Sequence, residues 1–115
     1  MINKISIIFP IYNEENRLSK SLIDIKKFIK LEKSLKIQII FVNDGSKDQS
    51  LKLLLAFKNE FKKKNIKTTI VDIKKNVGKG QAISKGVRHA LYSWVLTSDI
   101  DMSVELKQFT EWKKR

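Results

Sequence analysis

Apolar and polar positions along this chain switch repeatedly between a strand-like and a helix-like period. Ile5, Ile7, Ile8 and Phe9 form a nearly continuous β-branched and aromatic run, which predicts a strand over 4–9 covered on both faces. Pro10 ends it, because proline has no N–H to give to a ladder. Leu18, Leu22, Ile25 and Ile29 then recur at helical spacing, with Arg17, Lys20, Lys26 and Lys27 mostly off that stripe. Asn13 is placed to cap this helix, and Glu14 and Glu15 suit its positive end. A second buried-type strand is predicted over 37–42, running into Asn43-Asp44-Gly45-Ser46. Ser46 and Gln49 have capping-box spacing ahead of a helix with Leu51, Leu54, Leu55 and Phe61 as its predicted inner stripe. A third strand over 67–73 leads into the glycine loop 76–80 and a helix turning Ile83, Val87, Ala90 and Leu91 inward. A fourth strand over 94–97, also expected to be buried, precedes Asp99-Ile100-Asp101. Ser103 is placed to cap a last amphipathic segment with Leu106, Phe109 and Trp112.

Strict alternation of strand and helix predicts an α/β fold in three layers, a mostly parallel sheet flanked by helices with right-handed crossovers. The expected strand order is 3-2-1-4 in chain sequence. In open sheets of this kind ligands bind beyond the carboxyl ends of the strands. The polar clusters sit at those ends: Tyr12, Asn13 and Glu14 after the first strand, Asp44 after the second, Asn76, Gly78 and Lys79 after the third, Asp99 and Asp101 after the fourth. Their convergence on one edge predicts a ligand site before it identifies the ligand.

With 115 residues the chain is read as a single domain over 1–115. It contains no cysteine, which excludes disulfides and thiolate metal sites. No apolar run is long enough to span a bilayer and no signal-peptide pattern opens the chain, so a cytoplasmic domain is expected. The net charge of +12 favours anionic partners: phosphorylated substrates or an anionic membrane face, where the chain would sit peripherally. Nucleic acid is not expected, since no basic stripe interleaved with aromatics is present. The bland account of the same charge is a solvated, lysine-coated surface.

The chemistry narrows by exclusion and by charge. No G-x-G-x-x-G follows the first strand and no G-x-x-x-x-G-K-[ST] occurs, so neither a Rossmann dinucleotide site nor a P-loop is present. His89 lies mid-helix and is assigned no role. Asp99 and Asp101 are a pair of hard oxygen ligands one residue apart. Mg²⁺ typically takes one or two carboxylates together with substrate phosphates, so the pair points to a divalent ion on a diphosphate. Each residue also has a plainer account: Tyr12 as a loop aromatic, Asp44 as a turn former before Gly45, Lys79 as a solvated charge, Asp99 and Asp101 as solvated loop carboxylates.

The segments 5–15, Val42-Asn43-Asp44-Gly45-Ser46-Lys47-Asp48, Asn76-Val77-Gly78-Lys79-Gly80 and Ser98-Asp99-Ile100-Asp101 together resemble the successive signatures of the family 2 glycosyltransferases. Within that family the chain looks most like the polyprenyl- and dolichyl-phosphate glucosyl- or mannosyltransferases. The resemblance implies a GT-A fold binding a nucleotide-sugar donor, of UDP-glucose or GDP-mannose type. It implies that Pro10, Tyr12, Asn13 and Glu14 line the base and ribose pocket and that Asp44 hydrogen-bonds the base. Asn76, Gly78 and Lys79 would contact the donor. Asp99 would approach the ribose or a metal-bound water, and Asp101 would ligate Mg²⁺ or Mn²⁺, with Asp99 a weaker ligand. The acceptor would be a lipid phosphate or a glycan. Family catalytic domains extend well beyond this motif, so the chain is expected to hold the donor half, to lack an assigned catalytic base, and to leave a sheet edge or helix face uncovered, which predicts oligomerisation or poor solubility. The competing reading is a non-catalytic basic α/β module whose acidic loops bind cations or a protein.

Overall fold

The computed structural model describes residues 3–101. The predicted segment of Ser103, Leu106, Phe109 and Trp112 lies outside them. Strands β1 (Lys4–Ile11), β2 (Lys36–Asp44), β3 (Ile66–Ile73) and β4 (Val95–Thr97) alternate with helices α1 (Glu15–Leu31), α2 (Ser50–Glu60) and α3 (Lys79–Val87). The sheet is parallel, in the order β3-β2-β1-β4 expected from the sequence. Ile5 pairs with Ile37 and Phe9 with Phe41, so the two central strands run in register from end to end.

The continuous apolar runs of β1 and β2 are explained by the two cores they separate. On one face Ile5, Ile7, Phe9, Ile37, Ile39 and Phe41 pack with Leu18, Leu22, Ile25 and Ile29 of α1 and with Leu54 and Phe57 of α2. On the other, Ile8, Ile40 and Val42 pack with Ala82 of α3. The rings of Phe9 and Phe41 stack with centroids 5.7 Å apart, and Phe57 meets Phe41 edge-on at 5.6 Å.

The inner stripes of two helices differ from the sequence expectation. In α2 the buried positions are Ser50, Leu54 and Phe57, and Leu55 is exposed. In α3 they are Ala82 and Gly86, whereas Val87 and Leu91 face outward. The reason is the closeness of α3 to the sheet. A Cβ on Gly86 would stand 2.9 Å from Ile8 Cγ2 and from Val42 Cγ2, so only small residues fit that face. β4 is also more open than expected, with Trp94 and Val95 exposed. It lies at the sheet edge beside β1 and is only three residues long.

A buried polar cluster pins the α3–β4 connection to the sheet. Gln38 is 1 % exposed and would be costly unpaired. Its Oε1 accepts from Ser6 Oγ and Leu91 N, while its Nε2 donates to Thr69 Oγ1 and to the His89 carbonyl. His89 is exposed, as expected, and its Nδ1 lies 3.0 Å from the Lys85 carbonyl.

Candidate functional site

All four strands deliver their carboxyl ends to one open cavity of about 400 Å³. Pro10, Ile11 and Tyr12 form one wall as β1 ends. Asp44 reaches in from β2, Asn76 from the β3–α3 loop, Lys79 from the first turn of α3, and Asp99, Ile100 and Asp101 from beyond β4. Glu14 and Arg17 close the cavity from the start of α1.

Asp44 is the best-fixed group of the site. It is 3 % exposed, and its carboxylate accepts from Val77 N at 2.8 Å, Gly78 N at 3.0 Å and Asn76 Nδ2 at 3.1 Å. Loop 76–80 is expected from its composition to offer N–H groups to an anion. Two of those N–H groups are instead turned on the side chain of Asp44, which shapes the loop from within. Gly78 adopts φ +96°, a conformation few L-residues tolerate. Gly45 lies at φ +70° and so close to the same loop that a Cβ there would be 2.4 Å from Asn76 N.

Lys79, Asp99 and Asp101 bring one cation and two carboxylates to the cavity. Lys79 Nζ contacts Asp99 Oδ1 at 2.5 Å, and both side chains are more than half exposed. Ile100 explains the spacing of the two carboxylates: at 4 % exposure it is rooted in the core with α1 and α2, so its neighbours are left at the surface. Beyond the Lys79–Asp99 contact lies a smaller cavity of about 160 Å³, lined by Ile83, Thr97 and Ser98. Among the described residues no cluster of three or more histidine, cysteine or acidic side chains is arranged to hold a metal by itself. Two exposed carboxylates nevertheless fit Mg²⁺ or Mn²⁺, ions that complete their shells with water and phosphate oxygen.

Also lining the cavity, Arg17 Nη2 lies 2.9 Å from Glu14 Oε1 and 2.8 Å from Oε2. Of the residues expected from sequence to form a site, Pro10, Tyr12, Glu14, Asp44, Asn76, Lys79, Asp99 and Asp101 line the cavity. Asn13 and Gly78 do not: Gly78 N donates to Asp44, and Asn13 bonds to the 46–47 loop through both its N–H and its side chain. Arg17 and Ile100 line it without having been singled out. Arg17 was legible only as a cation three residues after Glu14, spacing that puts both on one helix face. The expected caps are also replaced. The α1 N-cap is Glu14 and the α2 N-cap is Gln49, and neither gives a side-chain capping bond. Asn13 and Ser46 bond across the two loops instead, Asn13 N donating to Ser46 Oγ at 3.0 Å and Lys47 N to Asn13 Oδ1 at 2.8 Å.

The fold and cavity define an α/β domain whose polar strand ends meet around one open cavity. The sequence profile of glycosyl transferase family 2 matches residues 6–111, and the chain belongs to that family. It is 37 % identical over 109 residues to a dolichyl-phosphate beta-glucosyltransferase of Dictyostelium discoideum, covering 91 % of this chain and 33 % of that protein. A dolichyl-phosphate beta-glucosyltransferase of Homo sapiens is 32 % identical over 115 residues, covering 96 % and 35 %. The chain thus spans about a third of the length of these relatives. Among solved structures, a mannosyltransferase from Pyrobaculum calidifontis in complex with GDP-Man and Mn²⁺ superposes with a TM-score of 0.75 at 20 % identity, over 88 % of this chain and 28 % of that one. TarS 1-349 of S. aureus with UDP-GlcNAc gives 0.72 at 24 %, over 96 % and 31 %. These likenesses establish the GT-A glycosyltransferase fold. No helix among the described residues is long and apolar enough to cross a membrane.

Proposed function

We propose that the cavity binds a nucleotide-sugar and that the chain is the donor-binding part of a glycosyltransferase acting on a polyprenyl phosphate. The observation that carries this reading is one open cavity lined by two chemically different sets of side chains. Tyr12, Glu14 and Arg17 offer an aromatic face, an acceptor and a donor, which suits a base and ribose. Lys79, Asp99 and Asp101 offer one cation and two hard-ion ligands, which suits a diphosphate with its metal.

Each residue then has a mechanical task. Asp44, held by three hydrogen bonds, presents a base with an acceptor that needs no ordering on binding. Lys79 moves from Asp99 toward the diphosphate and neutralises charge that develops as the nucleoside diphosphate leaves. Asp101, with Asp99 the weaker ligand, would hold a divalent ion, which when bound would supply further neutralisation of the leaving group. A lipid-phosphate acceptor would bring the domain to an anionic surface, which the +12 charge favours.

A second reading, a non-catalytic basic binding module, draws on the +12 charge. Thermal unfolding with UDP- and GDP-sugars, with and without Mn²⁺, separates the two. A ligand held by the native state raises the melting temperature. A metal-dependent rise with one nucleotide class supports the donor site, and no rise with any nucleotide supports the binding module.

A further inference from the structure

The first N–H groups of a helix have no partner within it and need an outside acceptor. In α1 those acceptors come from a loop more than thirty residues away. Asn13 N donates to Ser46 Oγ at 3.0 Å, Glu14 N to Ser50 Oγ at 2.9 Å, and Glu15 N to Asp48 Oδ2 at 3.1 Å. The return bond runs from Lys47 N to Asn13 Oδ1 at 2.8 Å. Asp48 is itself held by Ser50 N, which donates to its Oδ1 at 2.9 Å. Asn13 occupies φ +52°, a left-handed conformation that asparagine tolerates and that turns its amide and side chain toward this loop.

We infer that Asp48, Ser46 and Ser50 are positioning residues for the donor cavity: they form a clasp that holds the 12–17 wall in place. The inference rests on the donor-site reading above. None of the three lines the cavity, so none touches the ligand directly. What they fix is the turn that carries Tyr12, Glu14 and Arg17, which do line it. Glu14 adds no side-chain capping bond; its carbonyl takes the first helical bonds, from Arg17 N and Leu18 N, while its N–H is held by Ser50 of the clasp. The wall's rear, Leu18 and Leu22, is anchored separately in the core. Opening the clasp therefore moves the wall without unfolding the sheet, and its effect falls on ligand affinity more than on global stability.

Two readouts on the intact chain test this. Amide hydrogen exchange should accelerate at Glu15 in Asp48→Ala and at Asn13 in Ser46→Ala, with Ser46→Thr restoring protection because it keeps the hydroxyl. Calorimetric titration with UDP and GDP in Mn²⁺ should show about tenfold weaker binding in Asp48→Ala, an intermediate loss in Asp48→Asn, which keeps one acceptor, and recovery in Ser46→Thr. Parent-like binding by Asp48→Ala and Ser46→Ala, or affinity lost only in step with a collapsed melting temperature, overturns the positioning role. Unchanged exchange at 13–15 overturns the clasp itself. A parent chain that binds neither UDP nor GDP overturns the donor-site reading and with it the functional half of this inference, while the exchange measurement still decides the clasp.

Discussion

Replacing Asp44 by alanine probes the connection between β2 and the glycine loop. The change removes a carboxylate that accepts from Val77 N, Gly78 N and Asn76 Nδ2. Hydrogen bonds to a charged acceptor are worth roughly 1.5–3 kcal/mol each, but bonds sharing one acceptor group do not add. Val77 and Gly78 are half-buried, so water can reach part of what is lost. The expected destabilisation is about 3 kcal/mol, twice what one such bond would give at the low end of that range. Asp44→Asn keeps one acceptor but turns an N–H toward a backbone donor, and should cost about 2 kcal/mol on the same scale. Urea unfolding monitored by far-UV circular dichroism measures both, and amide exchange at Val77 and Gly78 localises the effect. A loss below ~1 kcal/mol in Asp44→Ala, with exchange at those two amides unchanged, would refute the reasoning that this carboxylate shapes the loop.

Ile100→Ala should cost about 2–4 kcal/mol as a buried large-to-small change, and should weaken Mn²⁺-dependent nucleotide binding because Asp99 and Asp101 lose their anchor; unfolding and calorimetric titration read the two effects. Lys79→Gln breaks an exposed ion pair and should change stability by less than ~1 kcal/mol while weakening UDP or GDP binding severalfold by titration. The folded state should lose stability in acid. Desolvation raises the Asp48 pKa, yet hydrogen bonds from Ser50 and Glu15 together carry it below the ordinary aspartate value. Asp72 is lowered by its bond to Lys74 and then by Asn43. Depressed carboxylates contribute stability that is complete above the unfolded aspartate pKa of about 3.9 and is lost as pH falls through the lower folded values. The urea midpoint should therefore hold steady from neutrality to about pH 5 and drop below about pH 4, with a shallower drop in Asp72→Asn.

The sheet was readable from the sequence because a doubly covered strand leaves an unmistakable record. Ile5, Ile7, Ile8 and Phe9 are apolar on both faces, which fixes β1 at the centre and, with the alternation of elements, the strand order. The cavity followed from the same topology, since polar residues at strand ends have only one edge to occupy. What the sequence hid was mainly non-local. Ser46 and Gln49 have the spacing of a local cap, but the nearest donor in space belongs to Asn13, in another loop. Hydropathy favoured Ile83 and Val87 as the inner face of α3, whereas close packing on Ile8 and Val42 admits only Ala82 and Gly86. The glycines of loop 76–80 suit an anion cradle, and nothing local shows that Asp44 already supplies a carboxylate to it.

The central claim is a metal-dependent nucleotide site at the carboxyl edge of the sheet, with Asp101 as the principal metal ligand. Calorimetric titration of UDP and GDP into the parent chain and into Asp101→Asn, each with and without Mn²⁺, tests it most directly. The substitution preserves volume and removes one charge from an exposed carboxylate, so the fold should be unaffected. The account predicts Mn²⁺-dependent binding of one nucleotide to the parent, its loss in Asp101→Asn, and a smaller loss in Asp99→Asn. Equal binding by Asp101→Asn and the parent, or binding indifferent to Mn²⁺, would contradict it and leave Asp99 and Asp101 as solvated loop carboxylates.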